Sequence, residues 1–250
     1  MFGRISPSLI AAFLICCLTL LFAQEFKREQ LRYPRVRGAY HTSEETVKQY
    51  FVDAKANYPP AELFIRIFKQ QNLLEVWAAD TDTSTFTMIK GYSICYFSGE
   101  IGPKRKQGDL QLPEGFYMID RFNPVSRYHL SLGINYPNAS DRKLTNAANP
   151  GGDIFIHGNC VSIGCAAMKD SVISEIYVMA VEAGNYVKPI NVHIFPTRMS
   201  GEKYEKLKND FPEHREFWKS IEKGYLFFEN ERKVPEICIT SDGWYGDCLD

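Results

Sequence analysis

Residues 152–170 read GDIFIHGNCVSIGCAAMKD, and this stretch decides how the rest of the chain is interpreted. The apolar run at 154–156 is typical of a buried strand, and apolar residues from 169 to 183 recur at helical spacing. A histidine, a hydroxyl, glycines and Cys165 lie between these two elements. The pattern therefore predicts a strand, a reactive loop and a helix. Cys165 would lie where the loop enters the helix, and the helix dipole would favour its thiolate.

His157 and Cys165 together predict acyl transfer through a thioester. In this interpretation His157 takes the thiol proton, Cys165 attacks a carbonyl carbon, and backbone N–H groups around Gly164 stabilise the oxyanion. The simpler alternative is that Cys165 is a small buried apolar residue and that His157 is a structural histidine, hydrogen-bonded at a strand end. A zinc site is a further alternative, with Cys160 as an added ligand, but the spacing matches no common zinc pattern. We predict no metal, and this chemistry requires no cofactor.

These residues resemble the signature of the L,D-transpeptidases of the YkuD fold, which joins a His-Gly pair to a Ser-x-Gly-Cys sequence. The matching residues here are His157-Gly158 and Ser162-Ile163-Gly164-Cys165. The step of eight residues from His157 to Cys165 is similar to that of the YafK-type subgroup of murein-acting proteins. The resemblance extends over about residues 63–196, through the stretches at 63–69, 102–104, 113–115 and 130–137.

The resemblance implies an α+β protein with a β-rich, YkuD-like catalytic core and flanking N- and C-terminal helices. It implies that Cys165 is the nucleophile and His157 the general base, and that the backbone carbonyl of Gly158 orients the imidazole. Gly164 would supply an oxyanion N–H, with Ser162 in a supporting role. Many family members carry histidine at position 163 and arginine at position 167. Here isoleucine and alanine stand there, so contacts made by those side chains cannot be transferred to this chain.

The implied substrate is a peptidoglycan stem peptide, and the implied role is in cell wall biogenesis and cell shape. The attacked carbonyl would belong to an L-configured centre, commonly diaminopimelate, bonded to a D-amino acid. Transfer to an amine is expected. The alternative is hydrolysis of the same bond class by an L,D-carboxypeptidase, endopeptidase or amidase, including release of a wall-linked lipoprotein. A non-catalytic cell-wall binding protein is the rival from another class.

Candidate substrate-binding residues lie outside the His-to-Cys motif or beside its histidine. Asn135 and Tyr136 form a polar, aromatic exit from a strand, where ligands are often held by a rigid scaffold. Asn159 follows the His-Gly pair. For Asn135 and Tyr136, turn and packing contacts explain the residues equally well.

The N-terminal segment and the composition indicate where the protein works. Residues 1–23 carry Arg4 followed by an apolar run that ends at a small residue, which is typical of a signal peptide and implies export to a bacterial periplasm. An uncleaved anchor is the alternative, and membrane contact is expected only through this segment. The formal net charge of −1, without a long basic run, argues against nucleic acid as a partner.

The sequence divides further into an arm and helix at 24–60, a catalytic domain at 61–198 and a helical extension with a tail at 199–250. Removal of the signal segment leaves five cysteines. An odd number leaves one thiol unpaired, which we expect to be Cys165. Cys238 and Cys248 are the closest remaining pair and should form a disulfide. A bond between Cys95 and Cys160 stays open.

The remaining elements follow from local patterns. Residues 24–38 are charged and indicate a solvated arm, and Thr42 with Glu45 resembles a capping box that would start a helix. The other predicted elements are a helix or extended segment at 61–71, a hairpin of strands at 73–79 and 85–97, strands at 116–119 and 127–134, a short helix after 137, a strand at 191–196 beside the His157 strand, and helices within 201–231 whose aromatic residues form core.

Overall fold

The computed structural model describes residues 24–80, 85–96, 98–184, 189–246 and 248. The predicted signal segment at 1–23 lies outside the described residues. Residues 24–30 are helical. The later helices are α1 (Pro34–Ala54), α2 (Ala139–Leu144), α3 (Asp170–Ala183), α4 (Glu202–Asp210) and α5 (Arg215–Glu231). The strands are β1 (Glu62–Phe68), β2 (Leu73–Ala79), β3 (Thr87–Ser93), β4 (Gly115–Asn123), β5 (Ser131–Ile134), β6 (Phe155–His157), β7 (Ala166–Ala167), β8 (Asn191–Phe195), β9 (Cys238–Ile239) and β10 (Tyr245–Gly246).

The described strands β1 to β8 form one eight-stranded sheet in the order β3-β2-β1-β8-β4-β5-β6-β7. Most neighbours are antiparallel, whereas β1 with β8 and β6 with β7 run parallel. β9 and β10 form a separate small ribbon. Helices cover the sheet, so the predicted α+β class is confirmed. No helix in the described ranges has the length and apolar character needed to cross a bilayer.

The position of the strand predicted at 191–196 is wrong. That strand, β8, pairs with β1 and β4, and two strands separate it from β6. The physical reason is its composition, since Val192, Ile194 and Phe195 are all buried, which suits a central strand covered on both faces. The predicted hairpin is correct, with β2 antiparallel to β3.

The N-terminal arm was predicted to be solvated, and the structure contradicts this. Residues 24–30 are helical, and α1 begins at Pro34, which suits the first turn of a helix. The predicted cap, Thr42, lies inside α1 and its hydroxyl donates to the carbonyl of Gly38 at 3.0 Å. Phe26 and Val36 are buried, and α1 packs against α3. Abundant charged residues conceal this narrow apolar face in the sequence.

The C-terminal helices cover the opposite side of the sheet with aromatic side chains. Trp218 is fully buried, and Tyr225 packs edge-on against Phe195 at 5.4 Å between ring centroids. Phe217 and Ile221 are also buried. The aromatic pattern of this segment therefore belongs to the core, as predicted.

A fully buried ion pair connects this core to the loop before β4. Lys69 Nζ lies 3.0 Å from Glu114 Oε1, and both side chains are completely buried. Lys69 also donates to the carbonyls of Gly102 and Leu112. The second carboxylate oxygen of Glu114 accepts from Trp218 Nε1 at 2.7 Å. The network therefore fixes the loop from 99 to 114, hereafter the 99–114 loop, against β1 and α5.

Replacing Glu114 with glutamine should destabilise the fold, because the charge of Lys69 would stay buried without a counter-charge. We expect the free energy of unfolding to fall by about 3–5 kcal/mol, measured by urea denaturation. The matched control is Asp210→Asn, which removes the exposed ion pair with Lys206. That change should lower the free energy of unfolding by less than about 1 kcal/mol. Equal losses in the two variants would contradict this account.

Candidate active site

Pairing between β6 and β7 brings the two predicted catalytic side chains together. His157 is the last residue of β6, and Cys165 immediately precedes β7. The two strands run parallel, with His157 opposite Ala167. Both His157 and Cys165 line one open cavity of about 550 Å³, hereafter the histidine-side cavity. Residues eight apart in sequence thus face the same space.

A hydrogen bond to the next peptide unit fixes the orientation of the His157 imidazole. His157 is buried, and its Nδ1 lies 2.6 Å from the carbonyl oxygen of Gly158. Because a carbonyl only accepts, Nδ1 carries the proton and Nε2 is the basic nitrogen. The ring of Tyr128 packs beside the imidazole at 4.7 Å between centroids. Burial lowers the pKa of His157, and the Gly158 hydrogen bond opposes that effect, so the ring is neutral at neutral pH.

The environment of Cys165 differs from the one predicted. The sequence placed the thiol at a helix N-terminus, but Ala166 and Ala167 form β7 and α3 begins only at Asp170. Two small buried residues extend beside β6 before the chain turns into the helix, so the predicted dipole effect is wrong. Burial raises the pKa of the Cys165 thiol. The negative charge of Asp153 adds to this effect, while a hydrogen bond from the backbone of Phe155 opposes it.

Ser162 organises the turn that carries the cysteine. Its hydroxyl oxygen accepts from the backbone N–H of Gly164 at 3.0 Å and of Cys165 at 2.6 Å. The same hydroxyl donates to the carbonyl of Cys165 at 2.8 Å. Gly164 has φ of 137°, a conformation that favours glycine. The N–H groups predicted to stabilise an oxyanion are therefore bonded to Ser162 in this structure, and their oxyanion role stays a prediction.

The predicted substrate-binding residues do not gather around the thiol. Asn135 lines a different cleft of about 320 Å³, and its side-chain oxygen accepts from the N–H of Met118. Tyr136 is buried and donates to the carbonyl of Pro150 at 2.9 Å, so the packing explanation describes it. Asn159 is exposed, and none of these three described residues lines the histidine-side cavity.

Sequence reasoning missed the side chains that do line this cavity. They include Arg127, Tyr128, Asp153 and Phe155. Asp153 and Phe155 lie within residues 152–170. Because side chains alternate between the two faces of a strand, their spacing could have indicated that they face the same side as His157. Arg127 and Tyr128 precede β5 and reach the site only through the pairing of β5 with β6.

A second cavity of about 390 Å³ also borders Cys165, and we call it the lysine-side cavity. It is lined by Lys104, Leu110 and Gly152, which do not border the first cavity. Asp153, Ile163 and Cys165 border both. The side chain of Lys104 is buried and paired with Asp109.

The cysteines in the described part of the chain are paired as the parity argument suggested. Cys238 bonds to Cys248, as predicted, and the open alternative, Cys95 with Cys160, also forms. Cys165 is free. Cys160 is therefore not available to bind a metal together with His157. Within the described residues, no group of three His, Cys, Asp or Glu side chains is arranged to hold a metal ion.

The alkylation rate of Cys165 should keep rising with pH through the ordinary thiol pKa of about 8.5, because burial raises its pKa and keeps the pair neutral at rest. Iodoacetamide labelling from about pH 5 to about pH 10, followed by peptide mapping, measures this. Asp153→Asn should shift the profile to lower pH, since it removes a charge that raises the thiol pKa. A plateau of reactivity below neutral pH would indicate a resting ion pair and contradict the assignment.

Comparisons with known proteins identify related sequences. A family model for the YkuD L,D-transpeptidase catalytic domain matches residues 63–194. YafK of Escherichia coli (strain K12), whose name assigns it provisionally to the L,D-transpeptidases, is 35% identical over 182 residues, covering 72% of this chain and 71% of that protein.

Two solved structures are among those that the chain matches. The helical cell shape determining protein Pgp2 from Campylobacter jejuni is 18% identical with a TM-score of 0.46, covering 72% of this chain and 73% of the other. Bd1075 from Bdellovibrio bacteriovorus is 22% identical with a TM-score of 0.40, covering 64% and 58%.

Proposed function

The chain belongs to the YkuD family of L,D-transpeptidase catalytic domains, and on this premise we propose that it is a cysteine-dependent acyltransferase acting on peptidoglycan stem peptides. The observation that supports this most directly is the shared cavity of His157 and Cys165, with the histidine Nδ1 fixed by the Gly158 carbonyl. This arrangement leaves Nε2 as the basic nitrogen of an imidazole that lines the same cavity as a free thiol.

In the first half-reaction, Nε2 of His157 takes the Cys165 proton as the sulfur attacks the carbonyl carbon of the L-configured residue. The tetrahedral intermediate then collapses, the bond to the D-amino acid breaks, and the leaving amine receives the proton from the imidazolium. A thioester and a free D-amino acid result. The opposing pKa shifts of the two groups favour a neutral resting pair, so proton transfer accompanies attack.

In the second half-reaction, an acceptor amine gives its proton to His157 and attacks the thioester carbonyl. The carbon–sulfur bond then breaks, and the imidazolium returns the proton to the sulfur, so Cys165 is released as a thiol. The leaving amine and the incoming amine both exchange a proton with His157, so both must occupy the histidine-side cavity. The acyl chain can then extend through the lysine-side cavity, which also borders Cys165. Two cavities meeting at one sulfur support a reaction with two peptide substrates.

Hydrolysis is the second candidate, because water can enter the same open cavity and attack the same thioester. Its products would be trimmed stems, cleaved cross-links or a released wall-linked lipoprotein. Ile163 stands at the border of both cavities and is 80% exposed, so no polar side chain at this position contacts an acceptor. This feature favours hydrolysis, whereas the room for a second peptide favours transfer, which we propose.

The periplasm or cell envelope is the proposed location. Disulfides persist in oxidising compartments and are rare in the cytosol. The bonds Cys95–Cys160 and Cys238–Cys248 are consistent with export, as is the apolar segment at 1–23. The expected partners are peptidoglycan stem peptides.

Incubation of the protein with purified muropeptides and excess D-amino acid acceptor should give exchange or dimer products, identified by mass spectrometry. His157→Gln should reduce the rate by about 10²–10⁴-fold, since it removes the general base. The matched control is His41→Gln, which changes an exposed histidine on α1 and should leave the rate unchanged.

Cys165→Ala should abolish the products and also the covalent adduct that a carbapenem forms with the wild type. Trimmed stems alone, with acceptor in excess, would favour hydrolysis over transfer. Products or adducts that persist in Cys165→Ala would contradict the thiol mechanism altogether.

A further inference from the structure

One peptide unit, that between Gly158 and Asn159, connects the catalytic imidazole to a carboxylate. Its carbonyl oxygen lies 2.6 Å from His157 Nδ1. Its N–H donates to Asp170 Oδ1 at 2.8 Å. We propose that Asp170 is a positioning residue for the catalytic base and acts on His157 through this peptide plane. The proposal rests on the function proposed above and adds a residue to its site.

Hydrogen bonds on the two sides of a peptide group reinforce each other. A carboxylate that accepts from the N–H draws the proton toward itself, which increases the negative charge on the carbonyl oxygen of the same planar unit. The carbonyl of Gly158 then holds the Nδ1 proton of His157 more strongly. That effect stabilises the imidazolium that forms when His157 takes the proton of Cys165. Asp170 thus acts in the proton transfer without touching either reacting atom.

The packing around the turn places the carboxylate against this peptide. A Cβ built on Gly158 would lie 2.5 Å from Asp170 Oδ1 and 2.9 Å from the carbonyl oxygen of Tyr128, so only glycine fits. Asn159 has φ of 69°, a conformation uncommon for a residue with a side chain. The next residue, Cys160, is tied to Cys95 by a disulfide. Packing around Gly158 and the disulfide at Cys160 therefore fix the turn on both sides of Asn159, whose N–H donates to Asp170.

A rigid element carries the carboxylate. Asp170 is the first residue of α3, and its carbonyl accepts from the hydroxyl of Ser174 at 2.8 Å. Ile173 and Ile176 in the same helix are fully buried. The helix therefore fixes the position of the carboxylate relative to β6, although Asp170 as a whole is exposed.

Groups other than Asp170 also surround the imidazole of His157, and their effects on its pKa must be separated from that of Asp170. Tyr128 packs against the ring, and the thiol of Cys165 shares the cavity. The charged side chains that line the same cavity are Arg127 and Asp153. Asp153 is paired with Arg121 at 2.9 Å. These groups lie on the cavity side of the imidazole, whereas Asp170 lies behind the Gly158 carbonyl, so a change at position 170 leaves them in place.

The test is the pKa of His157 itself, followed by NMR titration of the imidazole carbon and proton signals, with His157→Gln identifying the resonance. Asp170→Asn keeps an oxygen for the Asn159 N–H but removes the charge. We expect the pKa of His157 to fall by about half a unit, since charge-assisted hydrogen bonds are roughly twice as strong as neutral ones. The matched control, Asp53→Asn, removes the same charge from an exposed site on α1 and should leave the pKa unchanged.

Asp170→Ser provides a second variant that retains an oxygen near the start of the helix, and it should lower the pKa of His157 in the same direction. In both variants the rate of carbapenem acylation of Cys165 at neutral pH should fall by about threefold, in line with half a pKa unit. A pKa of His157 equal to that of the wild type in both variants would overturn the proposal, as would a higher pKa. The titration needs no turnover, so a wild-type protein without transpeptidation would contradict the proposed function and leave this test intact.

Discussion

The site depends on the pairing of two very short strands. β7 consists only of Ala166 and Ala167, yet its pairing with β6 brings the residue before it, Cys165, into the cavity that His157 also lines. The N–H of Met168 donates to the carbonyl of His157 at 2.7 Å and closes this pairing. On its other side, Ala167 bonds to the segment after β3, and its side chain is fully buried. The packing around position 167 therefore accommodates the methyl group of alanine, whereas many family members carry arginine there.

The same network that stabilises the core also builds one wall of the site. The 99–114 loop is fixed at its ends by Lys69 and Glu114 and in its middle by Lys104 paired with Asp109. Its residues line the lysine-side cavity, and the carbonyl of Gln111 lies against Gly164, where a Cβ would come within 3.2 Å of that oxygen. The stability of the fold and the shape of the cavity therefore depend on the same buried charges.

Features encoded by neighbouring residues could be predicted from the sequence. The His157 and Cys165 pair, the β2–β3 hairpin and the buried aromatic side of α5 each depend on patterns a few residues long. The place of β8 in the sheet could not be predicted, because strand order depends on contacts distant in sequence. The hydrogen bonds of Ser162 to the turn before Cys165 were missed for another reason, since the spacing of apolar residues does not indicate the direction of a hydroxyl group. The helical N-terminal arm was missed because its apolar face is narrow among many charges.

The disulfide between Cys95 and Cys160 has a consequence for how the protein matures. Cys160 lies five residues before Cys165 in the same loop, so it is the nearest cysteine in sequence that could form a disulfide with Cys165 during oxidation. A chain that joined those two sulfurs would leave Cys165 without a free thiol. Pairing of Cys160 with Cys95 removes that competitor. A disulfide that lies outside the histidine-side cavity thus keeps the thiol that borders it free.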